Sequence, residues 1–329
     1  MNGLHEKNKT NLGNVLVIGG CGFLGHHIVD TLHKSYNCNI SVLDLRTTQN
    51  RRPESDGIQY FEGDITSVDS ILPIFLQTKP SVVIHTASPT LTGGSKELYW
   101  KVNVDGTRCV IETCQKANVN ALVYTSSASI ISDNMTDLIN ADERWPIIPS
   151  KYQTEYYSET KVYENSKTGF QLGDNCNLFD FTYVGNVAQA HCLAAAALIM
   201  TSQLSTTPLS HEKVDGEAFF ITNDQPIYFW DFARAVWKSA GSDKGTEHVW
   251  EISQSVGMII GGILENLLML MGKVPSLTRR QVRYSCMTRY YDCSKAKRLL
   301  GYTPEVHLWE GIERSVAWFK NQSKLSKPE

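Results

Sequence analysis

The stretch NVLVIGGCGFLGHHIVDTLHKSY, residues 14–36, restricts the choice of fold more than any other part of the chain. An apolar, β-branched run ends in glycines and passes at once into helical spacing, with Leu24, Ile28 and Leu32 on one stripe. The pattern predicts a strand, a tight turn and a helix. Buried-strand runs return at NISVLDL, IQYFEGDI, SVVIHTAS and ALVYTSSAS, with helical segments near 68–78 and 98–117 between the later ones. Strands that are apolar throughout are covered on both faces, so the alternation predicts an α/β fold: a Rossmann-type, doubly wound parallel sheet. From about Gly169 the texture changes to short runs expected as strands (FQLGD, EAFFITN), a long alanine-rich helix at 183–200 and more loops. The expected division is a main domain at 1–168 and a smaller C-terminal lobe at 169–329 that returns elements to the main domain.

With 42% hydrophobic and 20% charged residues, the chain has ample material for such a core. A net charge of −3 and no concentrated Lys/Arg run argue against electrostatic capture of nucleic acid and favour a small-molecule partner. Eight cysteines include no Cys-x-x-Cys pair and no histidines nearby at ligand spacing, which reads as reduced thiols and no metal site. The polar start MNGLHEKNKTNLGN has no apolar core of a secretory signal, so a cytosol-facing protein is expected.

The glycines of GGCGFLG, Gly19, Gly22 and Gly25, stand at G-x-x-G-x-x-G spacing between the first strand and its helix. They permit a tight turn and close backbone approach to a pyrophosphate, while the helix start at Phe23 and Leu24 offers N–H groups. Asp44, ending the next strand run, suits the ribose hydroxyls and repels a 2′-phosphate, yet Arg46 two residues on suits that phosphate. The cofactor is therefore NAD or NADP. Asp64 and Ile65 after the third strand, and Ala87 and Ser88 after the fourth, fall where ligands bind outside strand ends, though each is equally an ordinary strand-to-loop turn.

Tyr157 and Lys161 stand four apart in YSETK, on one helical face. A tyrosine with a free pKa of about 10 becomes a useful base only if a neighbouring ammonium stabilises its phenolate, and Lys161 supplies that charge and is expected to contact the cofactor as well. Tyr152 and Tyr156 have no lysine at that spacing. Ser127, at the end of the fifth strand run, is suited to hold a substrate oxygen and a developing alkoxide.

Together GGCGFLG, HTASP, VNVDGT, LVYTSSAS and YSETK resemble the extended short-chain dehydrogenase/reductases, in the 3β-hydroxysteroid dehydrogenase branch. The strings GDNCNLFDFTYVGNVAQAH, FFITNDQPIYFWDFARAVW and SKAKRLLGYTPEVHLWEGIERSVAW are similar to the decarboxylating sterol dehydrogenases of that branch, fungal ones in particular. The resemblance implies NAD(P)-dependent oxidation of the 3β-hydroxyl of a 4α-carboxysterol with decarboxylation, in sterol biosynthesis. It also implies a place beside other enzymes of sterol C4 demethylation, and leaves open a homodimer and another 3β-hydroxysteroid as substrate. Asn103 in VNVDGT matches a position that supports the active-site helix and proton relay, although an asparagine capping a turn reads the same.

The resemblance breaks at one junction. In the family the Tyr/Lys helix runs on into a strand of the type LRPAGIFG, whereas here YSETK meets VYENSKTGFQLGDN directly. About forty residues are absent by that comparison, enough for a helix end, one core strand and a helix. The expectation is a shortened, catalytically impaired chain that at most binds dinucleotide; the alternative is a compact variant in which FQLGD replaces the lost strand.

One apolar segment, SVGMIIGGILENLLMLMG at 255–272, places Val256, Ile260, Ile263, Leu267 and Met271 on one helical face but is interrupted by Glu265 and Asn266. It reads as an interfacial helix on the cytosolic face of the endoplasmic reticulum or a lipid droplet, as a helix buried in a dimer or substrate lid, or as a span.

Overall fold

The computed structural model of the chain describes residues 9–89, 95–148, 170–242, 249–272, 275 and 277–325. The described residues form two compact units: those within 1–126, 184–218 and 295–303 make the first, and those within 127–183, 219–294 and 304–329 the second. The first boundary thus falls after Ser126 rather than at the expected 168, and the chain returns to the first unit for 184–218.

In the first unit, β1 (Asn11–Ile18), β2 (Asn37–Asp44), β3 (Gln59–Glu62), β4 (Val82–His85) and β5 (Ala121–Tyr124) form one parallel sheet in the order β3-β2-β1-β4-β5. Alternation along β1 explains the double winding. Val15 and Val17 face one core with Ile28, Val29 and Leu32 of α1 (Phe23–Ser35) and Ala188, Cys192 and Ala195 of α5 (Val184–Ser202). Leu16 and Ile18 face the other, with Ile71, Ile74 and Phe75 of α2 (Val68–Thr78) and Val110 and Cys114 of α4 (Thr107–Lys116). Both faces exclude water, which is why these strands read as unbroken apolar runs. Among the described residues α5 alone has the length and hydropathy to cross a membrane, but its small side chains are spent packing on the sheet.

Between β4 and α4 the chain forms α3 (Lys96–Trp100), then a π-helical turn, Lys101–Gly106, that carries Asn103. The helix expected at 98–117 is therefore present but interrupted by this wider turn.

The second unit holds a four-stranded sheet in the order β6-β11-β8-β9, from Leu138–Ala141, Arg289–Tyr291, Leu178–Phe179 and Ile227–Tyr228, and a two-stranded parallel sheet of β7 (Phe170–Leu172) and β10 (Trp250–Ile252). Phe179, Phe229, Trp230 and Trp237 form its aromatic core, the last three from α6 (Phe229–Ser239). FQL is thus a strand as expected, but it pairs with β10 and does not extend the five-stranded sheet. EAFFITN is not a strand. It is tied down through side chains instead: the Phe220 N–H donates to the Glu143 carboxylate at 2.6 Å, and the Asn223 side chain accepts from the Tyr183 N–H and donates to the Val306 carbonyl.

Apolar α7 (Gln254–Leu270) lies on α8 (Arg279–Cys286) through glycines. An added Cβ would stand 3.0 Å from Val282 at Gly257 and 2.9 Å from the Arg279 nitrogen at Gly261, so close approach of the helices depends on both. The polar interruptions turn away from the apolar surface. Glu265 accepts from the Arg279 backbone and guanidinium at 2.8 Å, and Asn266 donates back to the Gly262 carbonyl.

Candidate active site

The carboxyl ends of β1 to β4 bring the expected dinucleotide residues to one edge of the first unit. Gly19 follows β1 with φ of +82°, and its missing Cβ would stand 2.7 Å from the Ala87 nitrogen, so the turn rests directly on the loop after β4. At Gly25 an added Cβ would stand 2.1 Å from the Gly19 carbonyl oxygen; only glycine lets α1 start this close to the turn. Gly22 is the N-cap of α1 and no side chain caps it, which leaves the helix start to a ligand's oxygens. Phe23 is exposed and Leu24 half-buried beside it. Backbone crowding below and an uncapped, electropositive helix start above fit a pyrophosphate, so these residues suit a dinucleotide.

Asp44 ends β2 as expected and is doubly engaged. One carboxylate oxygen accepts from the Cys21 N–H at 3.0 Å and the other from the Leu45 N–H at 2.8 Å. Burial, then the Asp44 charge, pushes the Cys21 thiol up to about 11, so it is an unreactive thiol. Arg46 is exposed. A second carboxylate at this edge, Glu62, carried no signal in the sequence. It accepts from the Thr47 backbone and hydroxyl, and these bonds hold its pKa below the usual carboxylate value. Asn50 was likewise unannounced; its Nδ2 donates to the Cys21 carbonyl at 2.9 Å, fastening the loop after β2 over the glycine turn.

Asp64 is exposed and accepts from the Thr66 N–H and hydroxyl, the ordinary-turn arrangement, while Ile65 is buried in the core beneath. Ala87 and Ser88 follow β4, with Ala87 against Gly19. Thr86 donates to the Ile18 carbonyl at 3.0 Å and ties this loop to β1.

At the end of β5, Thr125 Oγ1 lies 2.7 Å from His191 Nε2 on α5. His191 Nδ1 is 2.7 Å from the Val187 carbonyl, so Nδ1 carries the proton and Nε2 accepts from Thr125. Ser127, in the second unit, caps a short 3₁₀ turn (Ala128–Ile131); its Oγ accepts from Ser129 N–H and lies 2.6 Å from Ser129 Oγ. Tyr157 and Lys161 lie outside the described residues.

The sequence matches the model of the 3-beta hydroxysteroid dehydrogenase/isomerase family over residues 16–167 and 160–252. The chain belongs to this family. It is 39% identical to sterol-4-alpha-carboxylate 3-dehydrogenase erg26, decarboxylating, of Schizosaccharomyces pombe, over 95% of this chain and 99% of that protein. Its counterpart in Saccharomyces cerevisiae is 38% identical over 94% and 98%, and the Homo sapiens protein of that description is 30% identical over 98% and 92%. Among solved structures, a UDP-glucose 4-epimerase from Stenotrophomonas maltophila with bound NAD superposes with a TM-score of 0.65 at 17% identity, covering 95% of this chain and 99% of that one. The likeness to that epimerase is one of fold.

Proposed function

We propose that this chain is an NAD(P)-dependent, decarboxylating 3-dehydrogenase of 4α-carboxysterols in sterol biosynthesis. The observation that carries the reading is the match to the S. pombe relative, 39% identical across 95% of this chain. The glycine turn and Asp44 support it by suiting a dinucleotide, which when bound supplies the hydride acceptor. Tyr157 takes the proton of the 3β-hydroxyl, Lys161 lowers the pKa of that phenol, and Ser127 holds the substrate oxygen. Asn103 takes part in the proton relay. The ketone formed at C3 stands β to the carboxylate, so carbon dioxide leaves while the electron pair of the broken C–C bond stays on the sterol, delocalised into the ketone as an enolate, and decarboxylation needs little further catalysis.

A sterol resides in membranes, and α7 offers a surface suited to meet one. Val256, Ile260, Ile263, Leu267 and Met271 are all exposed, with Ile259 and Leu270 beside them. Trp250, 77% exposed, stands four residues before α7 and pairs in register with exposed Phe170. At 17 residues the helix falls short of the roughly 20 that a crossing needs. We read it as an interfacial helix that docks on the cytosolic face of the endoplasmic reticulum or on a lipid droplet. There it would also meet other enzymes of sterol C4 demethylation.

A second reading has its own support. The alignment to the S. pombe relative has 353 positions but takes in 95% of 329 residues, about 313, leaving about 40 positions opposite no residue of this chain. The family model matches in two pieces that meet at 160–167, where YSETK runs into VYENSKTGFQLGDN. Among the described residues, the five-stranded sheet ends at β5. On this reading the chain binds dinucleotide but turns over little. The deciding assay is carbon dioxide release from a 4α-carboxysterol, with NAD and with NADP, by this chain and by one carrying the relative's intervening segment. Release from both chains is what the proposed activity requires, and strong release only from the restored chain bears out the second reading. No release from either sinks the proposed activity, and equal release from both sinks the second reading.

A further inference from the structure

His85 ends β4 and is fully buried, among the apolar side chains of the sheet. Both ring nitrogens are nonetheless engaged. The Ala87 N–H donates to Nδ1 at 3.3 Å, which puts the ring proton on Nε2, where it is donated to Thr107 Oγ1 at 3.3 Å. Burial pushes the imidazole pKa down to about 4, so at neutral pH the ring keeps this single arrangement.

The two partners belong to different parts of the site. Ala87 sits in the loop on which Gly19 rests and which Thr86 ties to β1. Thr107 is the first residue of α4, directly after the π-helical turn that carries Asn103. Such turns widen a helix locally and recur at functional sites, where they re-aim a side chain. This one is pinned at its end: a Cβ on Gly106 would stand 2.9 Å from Ile65 Cδ1. His85 therefore bridges the loop that faces the glycine turn and the turn that presents Asn103.

We propose that His85 is a positioning residue that couples the loop Thr86–Ser88 to the π-helical turn bearing Asn103, so that a shift in one is transmitted to the other. The proposal rests on the reading of Thr86–Ser88 as the cofactor side. A histidine that merely fills the core would influence stability alone.

The test acts on the partner rather than on the ring. In the full chain, Thr107→Val removes the acceptor and keeps the shape, and Thr107→Ser keeps the hydroxyl. Hydrogen exchange is followed separately in peptides covering 82–89 and 101–107, and NADH affinity by fluorescence titration. Thr107→Val should speed exchange in both peptides and weaken NADH about three- to tenfold, the worth of one hydrogen bond, while Thr107→Ser restores both. Faster exchange in 101–107 alone with unchanged NADH affinity overturns the coupling, as does a serine variant as impaired as valine. Should Thr107→Val not fold, His85→Asn keeps an acceptor for the Ala87 N–H but is too short for Thr107, and the same paired response is required. A parent chain that fails to bind NADH removes the dinucleotide reading, and the exchange pattern still decides the coupling.

Discussion

Replacing Ile260, Ile263 and Leu267 together by serine tests whether α7 meets lipid. The three residues are 36%, 52% and 54% exposed, so roughly half of their apolar surface is free to enter an interface. Full burial of an Ile or Leu side chain contributes about 1.5–3 kcal/mol. Half of three such contributions is about 2–4 kcal/mol, which at about 1.4 kcal/mol per tenfold is a loss of roughly 30- to 1,000-fold in vesicle binding. The fold should tolerate the change, because α7 is held from its other side by Gly257, Gly261 and the Glu265–Arg279 ion pair. The assay is flotation with phosphatidylcholine/phosphatidylserine vesicles, with circular dichroism as the folding control. Gly261→Val should behave in the opposite way, lowering the melting temperature by driving a side chain into the Arg279 backbone. Undiminished flotation of the triple variant refutes the interfacial reading. Loss of a dimer on a sizing column, with vesicle binding unchanged, would make α7 a subunit interface instead.

Asp44→Ala should weaken NAD more than NADP in a binding titration, since ribose hydrogen bonds are lost while repulsion of a 2′-phosphate is relieved; an unchanged ratio removes Asp44 from the ribose site. Asp180 follows β8 and accepts from the Tyr291 N–H at 2.7 Å; burial raises its carboxyl to about 6, so its stabilising contribution is present below the unfolded pKa of about 3.8 and is lost as pH rises through about 6. Asp180→Asn removes that loss, and its urea midpoint should rise more between pH 4.5 and 7.5 than the parent's; parallel curves refute the assignment. In a chain carrying the restored segment, Tyr157→Phe should keep NADH affinity and lose most 3-dehydrogenation, Lys161→Met should lose the same activity by restoring a high tyrosine pKa, and activity within twofold of the parent in either variant excludes that residue as the base or its activator.

The sheet was legible because its strands are buried on both faces, which leaves a run of Val, Ile and Leu that hardly depends on distant partners. Even there the run understates the strand: β1 begins at Asn11, where polar residues continue the pairing with β2. EAFFITN failed because the groups that fasten it, the Glu143 carboxylate on the Phe220 N–H and the Tyr183 and Val306 backbones on the Asn223 side chain, are remote in sequence and leave no periodic trace. At the candidate site the glycines and Asp44 were legible, since each answers a local demand for close approach or strand-end charge. Glu62, Asn50 and Thr107 were not, because their meaning lies in which loop folds over which. His85 did leave a trace, an imidazole closing an otherwise apolar strand. The glycine face of α7 was hidden by its apolar residues, which drew attention to the side that the fold leaves open.

The two bonds of Asp44 bear on how readily this protein could change cofactor during evolution. The carboxylate that suits a ribose also anchors the Cys21 amide in the glycine turn, and Asn50 holds the same residue by its carbonyl. On the dinucleotide reading, a single substitution of Asp44 that admitted a 2′-phosphate would therefore slacken the glycine turn as well. A lineage drifting from one nicotinamide cofactor to the other would have to pass through a poor binder of both, unless a second change first gave Cys21 another anchor. Cofactor preference is thus buffered against single mutations by a bond whose local task is to hold a turn in place.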